Sequence, residues 1–304
     1  MNVFVVNTPF QLYVVKHIIL QYFSSDKNLI LSTIKKGKYN DVISVTSGIK
    51  GLFKTRNLLW KIKRNISDIS FVVPHMGNLF SSYFFDLSRE YNRPISVYYE
   101  GIALFYDPVI ANKKAKYKRM LLGLLLGIRY KHYEQLYPQS FVNAVDYCYS
   151  PTTKLLEKYK MVRILSFKSL QHKKRNGILF LTSDEINHHE IVECVKLIEK
   201  LNNTEISSIY IKPHYSLDGK SLHKFVEMLK NTAKCEIVIL ENNIPIEQYF
   251  EKLQFKHMIC QRFTSAIVNI KFIYKDEIEC IVVNKENTPM DMLKGLDVNI
   301  KYYN

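Results

Sequence analysis

Glu100 and Gly101 directly follow the apolar run ISVYY, so a carboxylate emerges at the end of a predicted strand. Glycine at this point lets the backbone and a ligand approach each other closely. A carboxylate in a partly dry cleft can take the proton from a hydroxyl group as that hydroxyl attacks another centre. The pair therefore predicts a general base at Glu100, with an ordinary turn or capping carboxylate as the alternative.

A second polar group, Lys212, Pro213 and His214, follows the run SSIYI. Pro213 restricts the backbone at this strand end. His214 can then donate a hydrogen bond to a phosphate and stabilise the charge that grows on it as a bond to the phosphate breaks. The alternative is a partly exposed polar histidine without a chemical role.

Hydroxyl groups stand at two further strand ends. Thr264 and Ser265 precede an apolar helix predicted to begin at Ile267, and hydroxyls with backbone N–H groups at a helix start can bind an anion. An ordinary helix cap explains them equally well. Thr182 and Ser183 follow the run GILFL, where a nucleotide could lie against them.

Two other helix starts carry polar residues. Thr8, Pro9 and Gln11 come after the first predicted strand and are candidates for a cleft-facing position. Thr8 as N-cap with Pro9 at the first helical position is the alternative. Glu247 falls in the first turn of a helix that opens at Pro245, where a carboxylate favours the helix dipole or can accept from both hydroxyls of a ribose.

Short β-rich runs alternate with amphipathic stretches, a pattern typical of βαβ units. The predicted strands are 2–6, 28–31, 69–73, 95–99, 177–181, 208–211, 236–240 and 257–260, and the predicted helices of the second half are 190–201, 220–231 and 245–253. We predict an α/β protein with two doubly wound, Rossmann-like domains that face a central cleft and meet near residue 170. Ligands of such folds bind at the carboxyl ends of the strands.

The formal net charge of +15 requires an anionic partner or substrate, because so much positive charge repels itself. The basic residues do not form one stripe interleaved with aromatics, and no nucleic-acid-binding motif occurs, so the sequence argues against a nucleic acid partner. Five widely spaced cysteines and an N-terminus without the features of a signal peptide favour a cytoplasmic location.

The segment 113–131 combines the apolar run MLLGLLLGI with lysines and arginines on both sides. It is too short to span a bilayer, yet its composition suits peripheral contact with an anionic membrane, which for a cytoplasmic protein is the inner face. A core helix with solvated basic ends is the alternative.

The segments TPFQ, YEG, KPH, IPIEQ and TSA occur in this order over most of the chain. Together they resemble motifs of the bacterial sialyltransferases and polysialyltransferases with the GT-B fold. The resemblance implies that Glu100 is the catalytic base, that His214 and Ser265, with Thr264 beside it, bind the CMP phosphate, and that Glu247 binds the ribose. Tyr99 stands where the family has its first acid, and Tyr215 where it has a proline.

The resemblance also implies a function: transfer of sialic acid from CMP-sialic acid to a hydroxyl of an acceptor glycan, with inversion and without a metal ion or cofactor. Residues 1–170 would then carry the acceptor side and the base, and residues 171–304 would bind CMP. The sequence contains no Asp-x-Asp, and HEIVE lacks the second histidine of a zinc-protease helix. The alternatives are another donor, CMP-Kdo or a UDP-sugar, and a non-catalytic protein that binds an anionic polymer or membrane.

Overall fold

A computed structural model describes residues 1–34, 42–44, 49–106, 113–167, 177–185, 188–202, 206–214, 216–232, 235–242, 244–250, 253, 255–274, 278–284 and 288–303. Tyr215, one of the two departures from the family motifs, lies outside the described residues. The chain divides into two compact units, Met1–Ser166 and Phe167–Asn304.

The first unit is built on a parallel sheet of seven strands in the order β3-β2-β1-β4-β5-β6-β7. Its strands are β1 (Asn2–Val6), β2 (Asn28–Ser32), β3 (Val42–Ser44), β4 (Ser70–Val73), β5 (Ile95–Tyr98), β6 (Tyr147–Ser150) and β7 (Val162–Ile164). The chain adds strands outward from β1 in one direction and then returns to add β4 on the other side of β1. This reversal makes the carboxyl ends of β1 and β4 the place where a doubly wound sheet binds ligands.

Six α-helices accompany this sheet: α1 (Pro9–Tyr22), α2 (Ile49–Arg64), α3 (Leu79–Glu90), α4 (Ala103–Tyr106), α5 (Lys113–Leu126) and α6 (Gln139–Val142).

The start of α3 illustrates how the sequence defines a helix end. Asn78 has an extended backbone, and its Oδ1 accepts a hydrogen bond from the backbone N–H of Ser81 at 2.8 Å. A backbone donor that the helix itself leaves unpaired is thereby satisfied.

The second unit contains a parallel sheet of six strands in the order β10-β9-β8-β11-β12-β13. Its strands are β8 (Gly177–Leu181), β9 (Ser208–Lys212), β10 (Glu236–Ile239), β11 (Phe255–Arg262), β12 (Glu279–Asn284) and β13 (Lys301–Tyr302), and its helices are α7 (His188–Asn202), α8 (Gly219–Thr232), α9 (Ile246–Phe250), α10 (Ser265–Tyr274) and α11 (Met290–Gly295). The chain reverses here between β8 and β11.

Burial explains why the inner strands can be predicted from the sequence. Every residue of β1 and of β8 is buried, because helices cover both faces of a doubly wound sheet. In the second unit, Ile178 and Phe180 pack with Ile191 and Ile198 of α7 and with Phe225 of α8 in one apolar cluster. The five cysteines are free thiols.

Each predicted strand is present, and each predicted helix overlaps an observed helix. The helix that was predicted to begin at Ile267 is α10, which begins two residues earlier, at Ser265. Five strands, β3, β6, β7, β12 and β13, were not predicted. Over the described residues, no helix has the length and apolar character needed to cross a bilayer.

Candidate functional site

Three polar side chains meet at the carboxyl edge of the first sheet. Gln11 lies just after β1, His75 just after β4 and Glu100 just after β5, and these three strands are neighbours in the sheet. The cluster therefore lies where the order of the strands reverses. Gln11 and Glu100 were predicted to lie at a cleft, whereas His75 was not singled out.

Glu100 is the centre of this cluster. Its Oε2 accepts a hydrogen bond from Nε2 of Gln11 at 2.8 Å, and its Oε1 accepts one from the hydroxyl of Tyr137 at 2.6 Å. Nε2 of His75 lies 3.3 Å from Oε2, and the Glu100 side chain is 8% exposed. A carboxylate with polar partners on both oxygens is held in one position, as a catalytic group must be.

The hydrogen bonds of His75 distinguish its role from that of Glu100. The backbone N–H of Gly77 donates to Nδ1 of His75 at 2.7 Å, and a backbone N–H can only donate. Nδ1 is therefore the acceptor and Nε2 carries the proton, which points to Glu100. While these bonds hold, the ring has no nitrogen that can take a proton from a substrate, so Glu100 is the member of the pair that can accept one.

Gln11 owes its position to the start of α1. Thr8 is the N-cap, with its Oγ1 accepting from the Gln11 backbone N–H at 3.1 Å, and Pro9 opens the helix. The Gln11 Oε1 accepts from the backbone N–H of Asn7 at 2.6 Å, which turns its amino group toward Glu100. The capping interpretation of Thr8 and Pro9 is thus the observed one, and the polar contact with Glu100 comes from Gln11.

The residues on either side of Glu100 have structural roles. Tyr99 is fully buried, with its ring against those of Phe10 and Phe105, so the position of the family's first acid is occupied by a core aromatic. Gly101 has a φ of 116°, a conformation that residues with a Cβ rarely adopt. Glu100 is therefore the acid that this turn presents.

Tyr137 completes the cluster from a segment distant in sequence. Burial, followed by the neighbouring Glu100 carboxylate, raises the pKa of Tyr137 well above its usual value. The phenol thus stays protonated over the physiological range and remains a donor to Oε1 of Glu100. No sequence signal marked Tyr137, whereas His75 could have been found because it follows a predicted strand by two residues, as other candidates do.

In the second unit, candidate residues lie at the carboxyl ends of β8, β9 and β11. Thr182 and Ser183 follow β8, Lys212 ends β9 with Pro213 and His214 after it, and Thr264 and Ser265 follow β11. Because β8 lies between β9 and β11, all of these residues belong to one edge of the sheet. The reversal point between β8 and β11 is where such a sheet binds ligands.

Thr182 positions His214. The backbone N–H of His214 donates to Oγ1 of Thr182 at 2.7 Å, which ties the end of β9 to the end of β8. Nδ1 of His214 lies 2.7 Å from the hydroxyl of Ser216 and accepts from the Ser216 backbone N–H at 3.4 Å. The neutral ring then carries its proton on Nε2, which suits a donor to a phosphate oxygen. Ser216 was not predicted from the sequence.

Lys212 contributes a cation whose charge depends on pH. Its Nζ donates to the backbone carbonyl of Glu241 at 2.6 Å. Burial lowers the pKa of Lys212 to about 8, against the opposing effects of Glu247 and Glu241. The ammonium group is therefore charged at neutral pH and loses its proton in a range where most lysines keep theirs.

The start of α10 shows the predicted capping contact and leaves the predicted anion site possible. Thr264 precedes the helix, and its Oγ1 accepts from the backbone N–H of Ala266 at 3.4 Å, which is a capping contact. Ser265 is the first helical residue. A ten-residue helix still presents backbone N–H groups and the positive end of its dipole at this point. The cap and a phosphate site are compatible here.

Glu247 is buried, although a favourable contact with the helix dipole in the first turn does not require burial. It is 3% exposed, and Nδ2 of Asn269 in α10 donates to its Oε1 at 2.7 Å. Burial raises the pKa of Glu247, although the Asn269 hydrogen bond acts in the opposite direction. A ribose role for Glu247 remains a prediction.

Ser183 belongs to a buried polar network. Its backbone N–H donates to Oε1 of Gln261, and Nε2 of Gln261 donates to Oε2 of Glu190 at 2.6 Å. Arg262 lies 3.3 Å from the other oxygen of Glu190. The glutamate of the HEIVE segment thus braces β8 and β11 from α7.

Comparisons with known proteins support the fold. A scan against family models finds no match, and neither does a search of curated proteins. Among solved structures, a UDP-GlcNAc 2-epimerase from Neisseria meningitidis bound to UDP-GlcNAc is similar with a TM-score of 0.55 at 10% identity, covering 97% of this chain and 85% of that one. A putative UDP-N-acetylglucosamine 2-epimerase from Listeria monocytogenes is similar with a TM-score of 0.51 at 10% identity, covering 98% and 88%.

At these identities the likeness shows the fold. The chain has the GT-B fold, with two Rossmann-like doubly wound domains, as predicted. The heptosyltransferase WaaC of E. coli with ADP-2-deoxy-2-fluoro heptose is also similar, with a TM-score of 0.43 at 12% identity, covering 95% of this chain and 90% of that one.

Proposed function

We propose that this protein is a glycosyltransferase that transfers a sugar from a nucleotide-sugar to a hydroxyl of an acceptor glycan. Residues of the first unit supply the base and contact the acceptor, and residues of the second unit bind the nucleotide. The observation that carries the proposal is Glu100, a nearly buried carboxylate at a strand-order reversal, with Gln11 and Tyr137 donating to it and Nε2 of His75 within 3.3 Å.

The transfer is a single displacement. Glu100 removes the proton of the acceptor hydroxyl as its oxygen bonds to the anomeric carbon, while the bond from that carbon to the phosphate oxygen breaks and the nucleotide departs. The carboxylate suits this task because its partners hold it in place without supplying another base. Attack from the face opposite the leaving group inverts the configuration.

Departure of the nucleotide places charge on a phosphate. Nε2 of His214, the ammonium group of Lys212 and the start of α10 with Ser265 are the groups that we assign to this charge. Preorganised donors of this kind stabilise a developing anion without a reorganisation cost. A monophosphate leaving group needs only a few of them, so the proposed reaction uses no metal ion or other cofactor.

The donor that we propose is CMP-sialic acid, because the ordered motifs TPFQ, YEG, KPH, IPIEQ and TSA resemble the sialyltransferase pattern, from which Tyr99 and Tyr215 depart. A UDP-sugar is the second candidate, since the solved structure with a TM-score of 0.55 is described as bound to UDP-GlcNAc. The two donors differ in charge at the phosphate, and the two hypotheses give different nucleotide preferences.

A thermal-shift screen followed by a turnover assay tests the proposal. We expect CMP at about one hundred times its Kd to stabilise the protein by about 2.7 kcal/mol, an increase of several degrees in Tm. CMP-sialic acid with a galactoside should then release CMP and yield a larger glycan. A larger shift with UDP would favour the second donor. If CMP, UDP, ADP and GDP leave the Tm unchanged, and no nucleotide is released from their sugar derivatives, the proposed enzymatic function is contradicted.

The pH dependence of nucleotide binding follows from Lys212. Because its pKa is lowered to about 8, the cation is present at neutral pH and lost as the pH rises through 8. We expect the affinity for CMP to fall by up to about tenfold between pH 7 and pH 9, a range in which an ordinary lysine stays charged. Titration calorimetry at the two pH values measures the change.

The matched variant is Lys212→Arg, which keeps the positive charge over the whole range. Its affinity for CMP should vary little between the same pH values. An equal fall in affinity in the variant would assign the dependence to another group, and a flat wild-type profile would remove Lys212 from the phosphate site.

A further inference from the structure

Helix α5 has two apolar faces, and the residues that the structure describes cover one of them. On the inner face Gly123 is buried, with the Ile128 carbonyl and the Leu79 side chain so close that a Cβ would meet them at 3.0 and 3.4 Å. On the outer face the exposed side chains are Tyr117, Met120, Leu121, Leu124 and Leu125. Their spacing places them in one stripe along the helix.

Helix α2 packs against α5 and carries exposed apolar side chains of its own. Phe53 and Trp60 are both exposed and lie seven residues apart, which puts them on the same side of α2. The Arg56 side chain lies over Gly127, just past the end of α5. We call the seven exposed side chains of the two helices the α2–α5 face; they are Phe53, Trp60, Tyr117, Met120, Leu121, Leu124 and Leu125.

The charged side chains of helices α2 and α5 have one sign. Helices α2 and α5 contain eleven lysines and arginines and no aspartate or glutamate. Lys116 and Lys118 are exposed one on each side of the apolar stripe of α5, where a long side chain can reach past an apolar surface to an anionic group. The Arg64 guanidinium lies 5.3 Å from the Trp60 ring. Glu90 of α3 lies 3.8 Å from Lys63 and offsets part of this charge.

We propose that the α2–α5 face binds the surface of an anionic lipid bilayer, with the apolar stripe in the acyl boundary and the lysines at the headgroups. Exposed leucines and a tryptophan favour an apolar phase with a polar boundary, and two basic helices without acidic residues favour anionic headgroups. A second copy of this chain fits poorly, because a two-fold contact would bring basic flanks together. The inference does not depend on the proposed enzymatic function.

Vesicle flotation with the full chain tests the lipid preference. We expect the protein to float with phosphatidylcholine vesicles that contain about one third phosphatidylglycerol, and to bind pure phosphatidylcholine vesicles at least about tenfold more weakly. About 0.5 M salt should reduce the binding strongly, since it screens the attraction of the lysines to the headgroups. Equal binding to both kinds of vesicle would overturn the electrostatic part of the proposal.

Paired variants test the apolar stripe. The double variant Leu121→Gln/Leu124→Gln should reduce partitioning onto anionic vesicles by about tenfold or more, because two side chains no longer gain from leaving water. The control Leu20→Gln/Met161→Gln changes two exposed apolar side chains outside the α2–α5 face and should bind like the wild type. All four positions are at least half exposed, so neither variant opens the core.

Trp60 reports directly on the contact, because it is the single tryptophan of the chain and is 59% exposed. We expect its emission to shift to shorter wavelength with anionic vesicles, and brominated lipids to quench it. Emission that stays unchanged while the protein floats would exclude α2 from the contact. Flotation of Leu121→Gln/Leu124→Gln equal to that of its control, or a protein dimer that this variant dissociates, would overturn the proposal.

Discussion

Replacing Glu100 with glutamine should lower kcat by about three orders of magnitude while the affinity for the nucleotide stays within about twofold of wild type. The amide cannot take the proton of the acceptor hydroxyl, and a positioned general base contributes about 10²–10⁴-fold. The fold should survive, because an amide oxygen turned toward Gln11 and His75 keeps their hydrogen bonds while its amino group donates to the Tyr137 hydroxyl. Initial rates and titration calorimetry measure the two quantities.

Tyr137→Phe is the companion variant for Glu100→Gln. It keeps the base and removes a single donor to Oε1, so we expect a fall in kcat of about tenfold, well short of the loss in Glu100→Gln. A turnover of Glu100→Gln within about fivefold of wild type would remove Glu100 from the reaction. Loss of activity together with a large fall in Tm would assign a structural role instead.

The second large effect is expected for His214→Ala, which should lower kcat by about 10²-fold and weaken CMP binding by about tenfold. Removing one preorganised donor to a developing oxyanion costs about 10²–10³ in kcat. Alanine leaves the link between the ends of β8 and β9 intact, because Thr182 accepts from the backbone N–H of residue 214 rather than from the ring. The loss of kcat and of CMP affinity therefore measures the contribution of the imidazole ring.

His223→Ala provides the matched control for His214→Ala. His223 lies on α8 of the same unit, and its side chain is 73% exposed, so its removal should leave kcat and CMP affinity unchanged. His214→Gln, which offers an amide N–H in place of Nε2–H, should recover part of the loss. If His214→Ala behaves like His223→Ala, the phosphate contact is refuted.

Glu100→Gln and His214→Ala test different halves of the proposed mechanism. The first should leave nucleotide binding intact because Glu100 belongs to the unit assigned to the acceptor, whereas the second should impair both binding and turnover. A protein that binds a nucleotide without transferring its sugar would show the His214 effect on binding and no turnover in any variant. The pair thus separates a transferase from a nucleotide-binding protein.

The inner strands and the starts of several helices are predictable from the amino-acid sequence alone. β1 and β8 are buried on both faces, so they appear as continuous apolar runs. The start of α1 is marked by local chemistry, because Thr8 caps the same residues that follow it in the chain. Glu100 and His214 could be singled out for a related reason: each comes directly after a buried strand, and that position is a property of sequence.

Three short edge strands and the partners of Glu100 depend on the tertiary structure. β3, β7 and β13 have two or three residues each, too few for a pattern, and they exist because a neighbouring strand supplies their hydrogen bonds. His75 reaches Glu100 because β4 pairs with β5, and Tyr137 reaches it from 37 residues further along the chain. Strand order and loop packing are long-range properties, so the position of Glu100 is predictable from its own strand, but the groups that hold its carboxylate are not.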